Sequence, residues 1–308
     1  MQPATEPNKA VERVWQALSA ESREALMIGM TPTDLQTLLL SVSRARARQV
    51  GTARLMRRWG EDRFVRPAVA DPRRLAELNA HLWRSLPTEF EGIVLAPVSP
   101  LGTCAAVAAV DQNRIVSTVR GSEVVSDPTN VLAIAAADRR RRTGDDVHLA
   151  TCHRVLRGQR FADPSAAAHF ELFALVSSGR DRGARRTELD FLALHLRAWS
   201  ALLSETVGDQ RAYTMEFSTF GDQQLTELII ERLRPNLPRL MENSERTRGA
   251  GYYQGFAIRL VVAAGGRTYE IGDGGLTDWT AQLGSNAKER CLISCIATER
   301  LLAAISEG

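Results

Sequence analysis

Residues 147–179 read VHLATCHRVLRGQRFADPSAAAHFELFALVSSG. Two apolar or alternating runs of strand length, VHLATCHRVLRG and HFELFALVSSG, flank a stretch of Gly, Pro, Ala and charged residues in which the alternation lapses. This pattern predicts two antiparallel strands joined by a long loop. Upstream, FEGIVLAPV, CAAVAAVD and RIVSTVRG also have strand texture. Downstream, YTMEFSTF is a further strand, and GYYQGFAIRLVVAA with RTYEIGDGG predicts a hairpin turning through Ala264-Gly265-Gly266. Helical spacing appears after Asp127-Pro128 in NVLAIAAADRRRR, where Asp127 is placed as an N-cap, and in QLTELIIERLRPNL. It is clearest in TELDFLALHLRAWSALLSETV, where Leu189, Leu192, Leu196 and Trp199 recur at i, i+3, i+4. KERCLISCIATERLLAAI predicts a strand running into a last helix. Residues 8–85 read as a series of helices, among them TARLMRRWGEDRF and DPRRLAELNAHLWRSL, with Thr31-Pro32 and Asp71-Pro72 as start signals. The predicted fold is α+β, an antiparallel β-sheet flanked by helices in residues 88–308, preceded by a helical N-terminal extension in 1–87.

Length and composition set the frame. A chain of 308 residues with 44% hydrophobic and 24% charged residues can bury a large core without disulfides or structural metal. It contains no uncharged apolar run long enough to span a membrane, and MQPATEPNKAVERVW lacks a signal-peptide core, so a cytoplasmic protein is expected. Four cysteines are too few for a disulfide framework. Cys291 and Cys295, and Cys152 beside His153, follow no recognised zinc-ligand spacing, so no metal site is assigned. Among 39 basic residues only Lys9 and Lys288 are lysines, and neither stands in a Gly-Lys-Ser/Thr context. P-loop and pyridoxal chemistry are thereby disfavoured, and any phosphate site must be built from arginine. The net charge of +3 is uneven: residues 44–74 hold ten arginines against Glu61, Asp62 and Asp71. Such a segment is either a solvated helical face or a docking surface for an anionic partner.

RGAGYYQG at 248–255 is glycine-rich but precedes a strand, and its last gap is one residue too long for GxGxxG, so a dinucleotide loop is rejected. Its glycines read either as a tight turn or as backbone approaching a substrate, with Tyr252 and Tyr253 as walls and Arg248 as an anion anchor.

In their order, these segments resemble the catalytic domain of class II aminoacyl-tRNA synthetases, most closely histidyl-tRNA synthetase and its paralogues. FEGIVLAPV is similar to the first motif, with Pro97 at the place of the dimer-interface proline. VVSDPTNVLAI is similar to the segment that binds the substrate amine, which implies that role for Asp127 and Thr129. HRVLRGQRF with HFELFALVSSG resembles the second motif, implying Arg157 on the ATP α-phosphate, with Gln159 and Phe170 at the adenine. RGAGYYQG resembles the histidyl-specific loop and implies a second such arginine, Arg248, beside Tyr252 and Tyr253. ISCIATERLL resembles the third motif, with Arg300 over the γ-phosphate. Glu171 and Asp127 are the implied contacts for a substrate amine or Mg²⁺.

The departures from the pattern carry information. Gln159 stands for the glutamate that reads adenine, and Leu172 and Val176 for the groups that grip histidine. Gly251 replaces the loop's aspartate, and Ile296-Ala297-Thr298 replaces glycines of the third motif. A pocket that has lost its hydrogen-bonding partners rejects its old substrate, so histidine is not the expected substrate. The sequence continues only eight residues beyond Arg300, so no anticodon-binding domain and no ordinary tRNA charging are expected.

The resemblance implies a homodimer that uses ATP and Mg²⁺ to activate an amino acid or related carboxylate as its adenylate. The acceptor would be a carrier protein, another protein or an RNA docked on the basic helices of 44–74, with no membrane partner. The alternative is a catalytically inactive regulatory or binding subunit, in the manner of the histidyl-like subunit of ATP phosphoribosyltransferase. DNA binding by the N-terminal helices is a third reading.

Overall fold

The fold follows from a computed structural model that describes residues 9–159, 167–207 and 212–306. The part of the 147–179 segment at 160–166 lies outside the described residues. The chain divides into two units, one taking in the residues up to Glu61 and Ser117–Ser122, the other Asp62–Val116 and Glu123 onward.

The smaller unit holds α1 (Lys9–Gln16), α2 (Ala20–Glu24), a π-helical turn at Ala25–Gly29, α3 (Pro32–Ala47) and α4 (Thr52–Glu61). Its helices start where side chains serve the free N–H groups: Ser19 accepts from Ser22 N, and Thr31 accepts from Asp34 N with Pro32 in the first turn. None of these helices has a buried residue.

The larger unit opens with α5 (Pro72–Arg84), capped by Asp71 as its sequence predicts. Leu75, Leu78 and Leu82 form its buried stripe, so this helix packs with the larger unit although the sequence reading grouped it with the extension. β1 (Glu91–Gly92) and β2 (Val98–Pro100) are all that remains of the strand expected across FEGIVLAPV. CAAVAAVD is not a strand but contains α6 (Thr103–Ala108). Alanine is the best helix former, and the buried Glu123 carboxylate accepts from Gly102 N and Cys104 N at the helix start, 2.8 and 2.9 Å, and from Gln112 Nε2 at 3.0 Å. RIVSTVRG likewise is not a strand; β3 (Ser122–Val124) follows it and pairs with β2.

α7 (Pro128–Thr143), β4 (Val147–Leu156), β5 (His169–Arg180), α8 (Arg186–Val207), β6 (Ala212–Ser218) and α9 (Gln223–Leu233) fall where the periodicity put them. β7 (Leu240–Glu242), β8 (Ala257–Ala264), β9 (Arg267–Thr277), α10 (Trp279–Leu283), β10 (Glu289–Ala297) and α11 (Thr298–Ser306) complete the unit. The β8–β9 hairpin turns at Gly265 and Gly266, both at positive φ (57° and 72°), which glycine adopts without penalty.

Eight strands form one sheet in the order β1-β4-β5-β10-β9-β8-β6-β7. The interior is antiparallel as expected, and the outermost pairs, β1–β4 and β6–β7, are parallel. Both faces are buried. On β5, Phe173 and Leu175 join one core with α5, α8, α9 and α11, while Ala174 and Val176 point into another with α6, α7 and α10. β10 repeats the pattern, Leu292 and Ile296 on the first face, Cys291 and Ile293 on the second. Two buried aromatics, Phe173 and Trp199, meet edge to face at 6.3 Å, each worth roughly 1.5–3 kcal/mol in burial alone.

Within the first core runs a polar chain. His148 Nδ1 lies 2.7 Å from Ser177 Oγ, which lies 2.9 Å from His195 Nε2. His195 Nδ1 is 2.7 Å from Ser294 Oγ, to which Trp199 Nε1 donates at 2.9 Å. Burial pushes the His195 imidazole far below its usual pKa, and the neighbouring His148 adds to this, so the ring is neutral.

Candidate functional site

A cavity of about 1040 Å³ opens in the larger unit, walled by β5, β9, β10, α11 and the segment that precedes α5. This is the upper end of the range for small-molecule sites, large enough for a nucleotide and a second ligand. Asp127, Thr129, Arg157, Gln159, Phe170, Arg248, Tyr252, Tyr253 and Arg300 all line it.

Arg157 follows the last residue of β4. Its backbone N–H donates to Ala168 O at 2.8 Å, its Nε donates to Ser126 O at 3.0 Å, and its Nη2 lies 3.6 Å from Asp127 Oδ2. The guanidinium sits 5.0 Å over the Phe170 ring, so the side chain is oriented from two sides, by Ser126-Asp127 and by β5. Asp127 is held in turn as the N-cap of α7, its Oδ1 accepting from Thr129 N and Thr129 Oγ1 at 3.0 and 2.7 Å. Among the described residues its Oδ2 has only the loose contact to Arg157.

The 248–255 loop is braced by Arg246, a residue the sequence reading passed over. Arg246 Nη2 donates to Asp273 Oδ1 at 2.8 Å, Nη1 to Ile258 O and Nε to Arg248 O, both at 2.9 Å. Burial raises the Asp273 pKa, opposed by Arg246 and the Gly274 N–H. Tyr253 packs on Gly275: a Cβ there would fall 2.5 Å from its ring, so only glycine lets the tyrosine lie against β9. Tyr252 meets Tyr253 edge to face at 4.9 Å and Trp279 at 6.0 Å. Burial, with Asp127 next for Tyr252 and Asp273 next for Tyr253, raises both phenol pKa values, so both hydroxyls remain protonated donors at neutral pH. The Cys295 thiol, also on the cavity wall, is raised by burial and by the Asp127 charge and stays an unreactive thiol.

At the outer rim Arg248 Nη1 reaches Glu270 Oε1 at 3.0 Å, and Arg300 Nη1 donates to Glu270 O at 2.8 Å. Three guanidiniums from β4, the 248–255 loop and α11 therefore face one space, which suits a polyphosphate, and each already has an internal oxygen partner. Glu171 is set apart from this group. It accepts from Asn79 Nδ2 at 2.7 Å and Thr298 Oγ1 at 3.0 Å, tying α5 and α11 to β5.

Part of the site comes from the stretch between the helices expected at 52–64 and 71–86, with only residues 62–64 of it expected to be helical. Residues 62–71 contain no helix: Ala68, Val69, Ala70 and Asp71 line the cavity, and Arg63 donates to the carbonyls of Gly158 and Gln159. His169 Nε2 meets Arg66 O at 2.6 Å. The prolines of DRFVRPAVADP are the sequence signal for this break between helices.

No family model matches the sequence, and no curated protein matches it. Among solved structures the chain is similar to a histidine–tRNA ligase subunit from Alicyclobacillus acidocaldarius, at 14% identity and TM-score 0.56, covering 79% of this chain and 96% of that one. It is also similar to an ATP phosphoribosyltransferase regulatory subunit/histidyl-tRNA synthetase from Bacillus halodurans, at 11% identity and TM-score 0.58, covering 79% and 82%. Against the apo histidyl-tRNA synthetase of S. aureus it shows 13% identity and TM-score 0.55, covering 76% of this chain and 65% of that one. The mixed sheet, its flanking helices and these likenesses give the chain a class II synthetase-like fold.

Proposed function

We propose that the protein is an ATP-dependent, adenylate-forming ligase that activates an amino acid or related carboxylate and passes it to an acceptor other than a normally read tRNA. The observation that supports this most is the convergence of Arg157, Arg248 and Arg300 on one cavity with Asp127, Thr129 and the Phe170 ring. ATP would supply an α-phosphorus for attack by the substrate carboxylate, with pyrophosphate leaving, and Mg²⁺ would offset charge on the phosphates. The residues here would contribute position and electrostatics. Arg157 and Arg248 hold the reacting carboxylate and phosphate oxygens, Arg300 the outer phosphates, and Asp127 with Thr129 the substrate amine. Gln159 would meet the adenine as an amide, and Tyr252 and Tyr253 would offer hydroxyl donors from the same cavity lining. Asp127 would be a carboxylate available to share Mg²⁺ with the phosphates. Leu172 and Cys295 leave an apolar wall suited to a side chain without a hydrogen-bonding ring. The acting form is a homodimer.

A second reading, a regulatory subunit without turnover, draws on a specific feature: all three arginines already have oxygen partners within the chain. Pyrophosphate exchange over a panel of amino and carboxylic acids, with calorimetry for ATP, separates the two. The ligase shows exchange with one acid and loses roughly 10²–10³-fold of it in Arg157→Ala. No ATP binding and no exchange with any acid sinks the ligase and leaves the regulator.

A further inference from the structure

Between Leu35 and Gly60 the smaller unit has no acidic residue, yet it holds Arg44, Arg46, Arg48, Arg54, Arg57 and Arg58. All six are exposed, and among the described residues none of their guanidiniums has a hydrogen bond or ion-pair partner. In the larger unit, by contrast, even the Arg139–Arg142 run is paired throughout, to Glu91, Glu289 and Asp138. Unpaired arginines such as Arg73, Arg197 and Arg232 occur among the described residues of the larger unit as well, but there acidic residues are interspersed, whereas 35–60 has none to offset its charge.

α4 sorts its residues by face. At 100° per residue, Leu55, Met56 and Trp59 lie together on one side, and Arg54, Arg57 and Arg58 on the other. In an ordinary amphipathic helix the apolar side is covered by the body of the protein. Here it is open: Leu55, Met56 and Trp59 are 58%, 67% and 52% exposed. The partner must satisfy both faces. A second copy of the same helix would bring like charges together. A nucleic acid would neutralise the arginines and leave Leu55 and Met56 in water. An anionic bilayer surface meets both demands, since the apolar chains enter the headgroup–acyl boundary while the long guanidinium stems reach up to the lipid phosphates.

We propose that α4, with the arginines at the end of α3, is an interfacial helix that docks the protein on an anionic lipid surface. The expectation of no membrane partner came from the lack of a spanning segment. No helix among the described residues is long and apolar enough to cross a membrane, which leaves a helix lying in the interface untouched. The proposal is independent of the activity assigned to the cavity.

The test is co-sedimentation of the full chain with phosphatidylcholine vesicles, with and without phosphatidylglycerol, at low and high salt. Binding is expected only to the anionic vesicles, weakened by salt. At roughly fivefold per arginine, the triple variant Arg54→Gln/Arg57→Gln/Arg58→Gln should partition about 100-fold less. Leu55→Ser/Trp59→Ser should also lose binding while keeping its charge, and this is the arm that distinguishes a lipid surface from a polyanion. Absence of binding to anionic vesicles overturns the proposal. So does binding that the Leu55/Trp59 variant retains in full, and so does retention of an RNA or DNA oligonucleotide by a chain that ignores the vesicles.

Discussion

The two units of this chain solve the problem of the helix in opposite ways. In the larger unit α8 buries Leu189, Leu192, Leu196 and Trp199 against a sheet, and its stability is collective. In the smaller unit four helices bury no residue at all, and side-chain caps are seen only on α2 and α3. Amphipathic patterning is present in both, so the difference teaches that the pattern states a demand for cover and does not say who meets it.

Substitutions break that comparison most sharply in the sheet unit. Phe173→Ala, which removes a ring packed against Trp83 and Trp199, should cost about 3–5 kcal/mol in denaturant unfolding. A loss below about 1 kcal/mol would mean that the sheet core is not what holds the unit. Glu123→Gln comes next, with about 2–3 kcal/mol expected, because an amide cannot accept from Gly102 N, Cys104 N and Gln112 Nε2 together. Burial raises the Glu123 pKa, but those donors outweigh it and the net shift is downward. Its stabilisation is therefore complete above the ordinary carboxylate range and lost as pH falls through the depressed value. Glu123→Gln should flatten the acid limb of the stability curve.

His195 acts in a higher window. Its folded pKa is depressed, so the unfolded chain takes up a proton that the buried ring refuses. Stability is complete above pH ~6.5 and falls below it by up to about 1.4 kcal/mol per pH unit. A stability profile that is flat between pH 7.5 and 5 would contradict the buried, neutral ring. Leu55→Ser/Trp59→Ser has the smallest expected effect, within about 0.5 kcal/mol of the parent by thermal unfolding, because both side chains are more than half exposed and belong to no buried core. A large loss there would show that the smaller unit has a core after all.

Much of the architecture was legible in the sequence. The alternation in β4 and β5, the Asp127-Pro128 start of α7, the stripe of α8 and the Gly265-Gly266 turn are local signals, and each produced the element it predicted. Where the reading failed, the deciding partner was distant. CAAVAAVD turned helical with a carboxylate 19 residues away at its start, and FEGIVLAPV was cut short around Pro97. The cavity shows the same division. Arg157, Arg248 and Arg300 stood in recognisable segments. Arg246 and Asp273 were invisible because neither has meaning without the other, and they meet only when β9 passes the 248–255 loop.

The strand order also has a kinetic consequence. β4 pairs with β5, and β8, β9 and β10 pair in succession, so each half of the sheet closes through neighbours in sequence. The halves are joined by β5 against β10, whose paired residues are more than 100 positions apart. Long loop closure is slow, and Phe170 and Leu172 belong to one half while Asp273 and Cys295 belong to the other. The cavity thus lies on the seam of longest loop closure, and no partly folded chain with that seam open has a complete site.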